Sequence, residues 1–242
     1  MIYREHAVCG KLSAFIRKIW VLDNSINPLF VTNKYILPNG CSDIIFVSGK
    51  GARVSNVSNE LKFKEGVYFS GQMTELLEVE ICPFSKVILV QFLPWTTALF
   101  SSFPFNSATN LFPPIREVNP CFYRKVRDLP YEDERQIIDF INKQFLDFLK
   151  KSRVSDLIQN SCSLLLNQPR NLTIKELSSQ LGYSPRYVEK KFKNHLGLSP
   201  KEFSTIIKIR QTVDKLTYNK DDASLTQLAL EFGFYDQSHF IK

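Results

Sequence analysis

The sequence predicts an α+β fold in which a β-rich N-terminal barrel or sandwich is followed by an all-α region. Three observations predict it. Short β-branched or aromatic runs separated by turn residues occupy residues 1–93. Beyond them, apolar residues recur at the three- and four-residue spacing of helices. A two-helix pattern at 172–203 then recurs at 225–242, which indicates a duplicated unit.

Within the β-rich part, three apolar runs of strand length stand at 19–22, 44–47 and 87–90. Residues 76–82 alternate imperfectly between apolar and polar, as a half-buried strand does. Several short strands separated by Pro, Gly and Asn turn signals are typical of a sandwich or a small barrel.

A wide apolar stripe over 131–151 predicts a long helix with acidic residues in its first turn. The stripe consists of Ile137, Ile138, Ile141, Phe145, Phe148 and Leu149. It could cover the β region or pair with its copy in a dimer, and we favour a mixture with packing inside the chain first. The predicted domains are therefore a β-rich domain at 1–130, a helical connector at 131–151 and a helical domain at 152–242, in which a helix near 155–166 backs the first two-helix unit.

The first two-helix unit has clear local signals. Leu177 and Leu181 lie on one face of a short helix, and Gly182 ends it because glycine adopts the left-handed conformation without steric cost. Ser184 offers an N-cap oxygen to the second helix, which begins at Pro185. Thr173 and Glu176 form a predicted capping box at the start of the first helix.

The second helix has two opposite faces. Val188, Phe192 and Leu196 point to one side. The polar side chains on the other face are Arg186, Glu189, Lys190 and Lys193. A helix pair with an apolar back and a mostly basic front is typical of a helix-turn-helix, which lays its front in a DNA major groove. The alternative is an ordinary amphipathic helix whose basic face is only solvated.

The repeat favours the first interpretation. Residues 228–234 repeat 177–183 at a constant spacing of 51, with core residues, a C-cap glycine and a core aromatic in the same order, so that Tyr183 corresponds to Phe234. Asp236 offers the second N-cap. A helix predicted over 200–216 joins the units, and its length of roughly 25 Å suits two recognition helices in successive major-groove segments about 34 Å apart.

The tail resembles the DNA-binding domain of AraC/XylS-type transcriptional regulators through residues 177–183, 184–193, 196–200, Arg210 and 228–240. The resemblance implies an all-α double helix-turn-helix that binds a double-stranded DNA operator. By motif position it implies base contacts in two sets of residues. These are Arg186, Glu189 and Lys190 in the first unit and Gln237, Ser238 and Lys242 in the second.

The individual roles are weighed by side-chain chemistry. Arg186 suits a bidentate contact to guanine, with a phosphate contact or a free side chain as alternatives. Glu189 could accept from cytosine or pair with Arg186 or Lys193 along the helix. Lys190 and Lys193 are more typical of phosphate contacts than of base readers.

The N-terminal part looks like the small sensor barrels of such regulators through residues 37–46. This likeness implies a cupin-like barrel that binds a small-molecule effector, forms a homodimer, or both. Because the sequence ends at Lys242 inside the second recognition helix, we expect a C-terminally truncated form. The alternative function is a ligand-binding or protein-interaction module without productive DNA binding.

Composition limits the other classes. A net charge of +7 favours an anionic partner. The sequence has neither a run of 18 apolar residues nor a signal-peptide core, so a cytoplasmic protein without membrane contact is expected. The five scattered cysteines argue against a disulfide framework and a zinc knuckle.

An enzyme is the competing class for the barrel. A metal-dependent barrel needs several histidines, whereas the β-rich part contains only His6. The sequence has no nucleophile elbow, phosphate-binding loop or dinucleotide fingerprint. We therefore predict no catalytic residue, no metal and no cofactor. Asp43, Tyr35 and Trp20 could line a pocket, although aromatic residues on strands usually belong to the core.

Overall fold

The computed structural model of this chain describes residues 1–56, 59–151, 155–167 and 172–218. A β-rich N-terminal region is followed by helices, which confirms the predicted fold class. The second helix-turn-helix unit, with Asp236, Gln237, Ser238 and Lys242, lies outside the described residues.

The β region (residues 2–92) consists of two antiparallel sheets. Its strands are β1 (Ile2–His6), β2 (Ile16–Asn24), β3 (Val31–Ile36), β4 (Ser42–Gly49), β5 (Ala52–Ser55), β6 (Glu60–Phe63), β7 (Gly66–Ser70), β8 (Leu77–Ile81) and β9 (Ser85–Phe92). The larger sheet has the order β1-β2-β9-β4-β7, and the smaller one has the order β3-β8-β5-β6. The three predicted apolar runs lie in β2, β4 and β9, which are neighbours in the larger sheet.

Both faces of the larger sheet are covered, which explains why its central strands are continuously apolar. Along β4, Ile44 and Phe46 point into one apolar cluster, whereas Ile45 and Val47 point into another, between the two sheets. This alternation follows from the two-residue period of a strand. Asp43 therefore lies on the same side as Ile45, facing the smaller sheet.

The helices are α1 (Thr97–Phe100), α2 (Ile115–Val118), α3 (Pro120–Val126), α4 (Glu134–Lys151), α5 (Asp156–Asn167), α6 (Ile174–Leu181), α7 (Pro185–Leu196) and α8 (Pro200–Tyr218). Helix α4 covers the outer face of the larger sheet through Ile137, Ile141 and Phe145. The Phe145 ring lies 5.0 Å from the ring of Phe92 on β9, measured between centroids. The apolar stripe on α4 is thus buried largely by contacts within the chain.

The helical region (α5–α8) has its own apolar cluster, built around Leu177, Phe192 and Phe203. Trp95, which follows β9, belongs to this cluster and is 8% exposed. The β region and the helical region are therefore packed against each other rather than merely tethered.

Two features are absent from the described ranges of the chain. None of the helices there combines the length and apolar character that a membrane crossing requires. In the same ranges, no three His, Cys, Asp or Glu side chains are grouped where they could hold a metal ion.

Candidate nucleic-acid interface and barrel cavity

Helices α6 and α7 are joined as the sequence predicts. Thr173 and Glu176 form the capping box at the start of α6. Gly182 ends that helix with φ +72°, in the left-handed region. Ser184 Oγ then accepts a hydrogen bond of 3.3 Å from the backbone N–H of Tyr187, so it caps α7. These local signals fix the geometry of the turn.

Helix α7 presents its two predicted faces. Val188 and Phe192 are 0% exposed, and Leu196 is 1% exposed. The opposite face consists of four exposed residues: Arg186, Glu189, Lys190 and Lys193. All of them except Glu189 are cations. Within the described chain, Glu189 has no ion pair with Arg186 or Lys193, although the sequence allowed one. The front of α7 is thus an accessible and mainly cationic surface.

The prediction that Tyr183 is a core aromatic is wrong. Its side chain is 48% exposed and stacks on Tyr187, with ring centroids 5.3 Å apart and an interplanar angle of 20°. The left-handed turn at Gly182 leads the chain away from the core, and Leu181 already packs there. The shared ring face lowers the exposed apolar area of both tyrosines.

The C-terminal end of α7 is held by residues 93–114, which lie between β9 and α2 and are called here the β region's extension. Thr97 Oγ1 donates a 2.8 Å hydrogen bond to the carbonyl of His195, and Thr109 Oγ1 donates a 2.9 Å bond to the carbonyl of Gly197. Helix ends leave such carbonyls without intrahelical partners, so these threonines act as caps supplied from outside the helix. The orientation of α7 relative to the β region is therefore fixed by hydrogen bonds as well as by Trp95.

A cavity of about 80 Å³ lies between the two sheets. Its wall is mostly apolar, with Leu22, Ile45, Val79 and Leu89 among the lining residues. The polar lining consists mainly of Trp20, Asn39, Asp43, Ser70 and Gln91. Such a mixture, an apolar wall with a few placed polar groups, is typical of small-molecule sites.

Asp43 is the only carboxylate among the residues that line this cavity. Burial raises the pKa of its carboxyl to about 7 from an ordinary 3.8, while the Gln91 hydrogen bond and the charges of Lys18 and Arg17 oppose the shift. Gln91 Nε2 lies 3.4 Å from Asp43 Oδ1, which is a long contact. The indole N–H of Trp20 is buried and has no hydrogen-bond partner among the described residues. The cavity wall thus contains polar groups that can form further hydrogen bonds with a ligand.

The cavity continues into an open mouth of about 540 Å³, because Trp20, Asn39 and Gln91 line both. The charged residues of the mouth are Glu5, Arg17, Lys18 and Arg210. Arg210 belongs to α8, so the mouth lies where the β region meets the helical region. Tyr35 lines the mouth as well, so all three residues singled out as possible pocket residues do line this continuous space.

The cations at the mouth are unequally paired. Arg210 forms a salt bridge of 2.9 Å with Asp214, and Lys18 lies 3.7 Å from Glu5. Arg17 forms no salt bridge in the described part of the chain; its guanidinium donates a 3.6 Å hydrogen bond to the thiol of Cys41, and its charge also acts on the carboxyl of Asp43. No local sequence pattern marks four of the residues described above, because their partners are distant in the sequence: Arg17, Lys18, Thr97 and Thr109.

Two family models match separate segments of this chain. Residues 177–242 match a family model described as "Helix-turn-helix domain", and residues 4–112 match one described as "Domain of unknown function (DUF6597)". The Uncharacterized HTH-type transcriptional regulator SAS0078 of Staphylococcus aureus (strain MSSA476) is 30% identical over 101 residues, which are 42% of this chain. The matched segment spans only 12% of the length of that relative.

Solved structures of two regulators also match this chain at low sequence identity. ToxT from Vibrio cholerae is 13% identical with a TM-score of 0.46, over 87% of this chain and 91% of that one. The AraC-like transcriptional activator CuxR is 12% identical with a TM-score of 0.28, over 84% of this chain and 74% of that one.

Proposed function

We propose that this chain, which carries an AraC-type helix-turn-helix domain, is a transcriptional regulator that reads double-stranded DNA through α7 and senses a small molecule through its β region. One observation carries the DNA-binding part. A single helix has a fully buried apolar back and an exposed front with three cations. A recognition helix needs both properties, because its back must be fixed while its front enters the groove.

The residues of the front divide by chemistry. Arg186 stands at the start of α7, and its planar guanidinium can donate two hydrogen bonds to guanine in the major groove. Lys193 stands two turns later, and as a point charge it is suited to a phosphate. The two side chains are therefore proposed to serve sequence reading and affinity, respectively.

Alanine substitutions separate these two roles. We expect Arg186→Ala to weaken binding to a duplex selected from a random-sequence pool by about 1–3 kcal/mol and to relax the preference at one base pair. Lys193→Ala should weaken the selected and a scrambled duplex alike, and should lower the slope of log affinity against log salt by about 1. Fluorescence anisotropy at several salt concentrations measures both. Equal effects of the two changes on both duplexes would exclude base reading by α7, and failure to select any sequence would favour the module without DNA binding.

The cavity and its mouth support an effector with two unlike ends. The enclosed part is apolar, whereas the mouth carries three cations against one acid, with Arg17 forming no salt bridge among the described residues. We therefore propose an amphipathic ligand whose apolar body enters the space between the sheets and whose anionic end stays at the mouth.

The position of the mouth supports a link between the two activities. A ligand there contacts Arg17 on the β region and Arg210 on α8. Helix α7 is in turn capped by Thr97 and Thr109. A ligand that binds one arrangement of these parts better than another shifts its population, and with it the fraction of chains that bind DNA.

The ionisation of Asp43 gives a test of the ligand site with 1-hexanesulfonate, a probe that stays anionic at any pH used. As pH rises through about 7, Asp43, which lines the enclosed cavity next to the mouth, gains a negative charge that repels the bound anion. We expect the affinity to fall by about fivefold, the equivalent of about 1 kcal/mol of charge repulsion. Asp43→Asn should remove this pH dependence, whereas Asp147→Asn on the exposed side of α4 should retain it. Calorimetric titration at several pH values measures this affinity. If Asp43→Asn has the same pH profile as the unchanged chain, the anion binds elsewhere.

A further inference from the structure

Beside the front of α7 lies an exposed pair of aromatic rings. Tyr183 and Tyr187 are 48% and 43% exposed, and they stack on each other without joining the apolar cluster of the helical region. Lys191 follows Tyr187 by four residues, and its ammonium lies 5.5 Å from the centroid of the Tyr187 ring. We call Tyr183, Tyr187 and Lys191 the tyrosine flank.

The flank has a defined place on the helix. Tyr187 and Lys191 are four residues apart and therefore lie on one line along α7. At 100° per residue, this line runs between the buried stripe of Val188 and Phe192 and the exposed front of Arg186 and Lys190. When the front of a recognition helix faces the base edges, a line at its side faces the wall of the groove, which consists of phosphates.

The chemistry of the flank also suits phosphate. Within the described part of the chain, neither tyrosine hydroxyl has a hydrogen-bond partner, so both are free to donate. The ring stack restricts both side chains, which lowers the entropy lost when their hydroxyls bind. Lys191 adds a positive charge next to them, and hydroxyl donors together with a cation recognise a phosphate oxygen irrespective of sequence.

We propose that the tyrosine flank binds the DNA backbone at the edge of the groove segment occupied by α7, and so sets the angle at which the helix enters. The inference rests on the proposed DNA-binding function. Tyr183 and Tyr187 supply the hydroxyl donors, and Lys191 supplies the charge. None of the three reads a base.

The test uses hydroxyl removal, which keeps the ring stack intact. We expect Tyr183→Phe and Tyr187→Phe each to weaken binding by about five- to tenfold on the selected and on the scrambled duplex alike, without changing the salt slope. Lys191→Gln should lower the slope of log affinity against log salt by about 0.9. The matched controls Tyr68→Phe and Lys62→Gln, both in the β region, should bind as the unchanged chain does.

The outcomes are distinguishable. If both phenylalanine variants bind both duplexes as the unchanged chain does, while that chain still prefers its selected duplex, the flank proposal is wrong and the proposed function stands. A loss confined to the selected duplex would mean that the tyrosines read bases, which also overturns the proposal. If the unchanged chain selects no sequence, the proposed function itself has failed.

Discussion

Replacing Phe192 by alanine is expected to destabilise the helical region by about 3–5 kcal/mol and to abolish sequence-specific DNA binding. The side chain is fully buried and packs edge-on against Phe203 of α8, with ring centroids 5.9 Å apart. Its removal leaves a cavity at the junction of α7 and α8, so the recognition helix loses the support that fixes its front. Urea unfolding followed by circular dichroism measures the free energy, and anisotropy measures the binding.

Lys193→Ala is the matched control for this experiment, because it changes the next residue of α7 without touching the core. It should leave the free energy of unfolding within about 0.5 kcal/mol of that of the unchanged chain. A cost for Phe192→Ala of less than about 1 kcal/mol would mean that α7 does not rest on this core.

The second large effect is expected at Gly197, which ends α7 with φ +88°. A Cβ at this position would lie 2.6 Å from the carbonyl oxygen of Phe105, a backbone atom of the extension that follows the β region. Gly197→Ala therefore combines left-handed strain with a steric clash, and we expect a loss of about 3–4 kcal/mol in urea unfolding. The clash would also separate α7 from the threonines that cap it.

Gly182→Ala provides a close comparison. Gly182 also ends a helix in the left-handed region, with φ +72°, but apart from its two chain neighbours no described residue has an atom within 4 Å of its would-be Cβ. It should cost only the backbone strain, about 1 kcal/mol. Similar losses for the two substitutions would contradict a tight contact between α7 and the β region's extension.

Short-range sequence rules were sufficient to predict the first helix-turn-helix unit, α6 and α7. The capping box at Thr173, the glycine at position 182 and the N-cap at Ser184 each depend on residues within four positions, and all three are confirmed. The apolar back of α7 was equally predictable, because Val188, Phe192 and Leu196 repeat at helical spacing. The central strands of the larger sheet were predictable from their short continuous apolar runs.

The errors and omissions concern contacts between distant residues. Tyr183 was placed in the core by analogy with Phe234, but its environment depends on how the chain leaves Gly182. Trp95 gives no local sign that it packs with the helical region, whose residues lie far later in the sequence. Arg17 and Arg210 meet at one mouth only because the two regions are docked.

Other expectations stay predictions. The homodimer, the domain boundaries and the DNA-contacting roles of the individual side chains rest on sequence and chemistry. Gln237, Ser238 and Lys242 lie outside the described residues. The second recognition helix therefore stays a prediction that rests on the sequence repeat.

Methylation interference on the selected duplex tests the central claim most directly, because dimethyl sulfate marks guanine N7 in the major groove and adenine N3 in the minor groove. If α7 lies in the major groove with Arg186 on a guanine, methylation of one guanine N7 blocks the unchanged chain and no longer affects Arg186→Ala. Interference only at adenine N3, or an identical guanine pattern for both proteins, would contradict it.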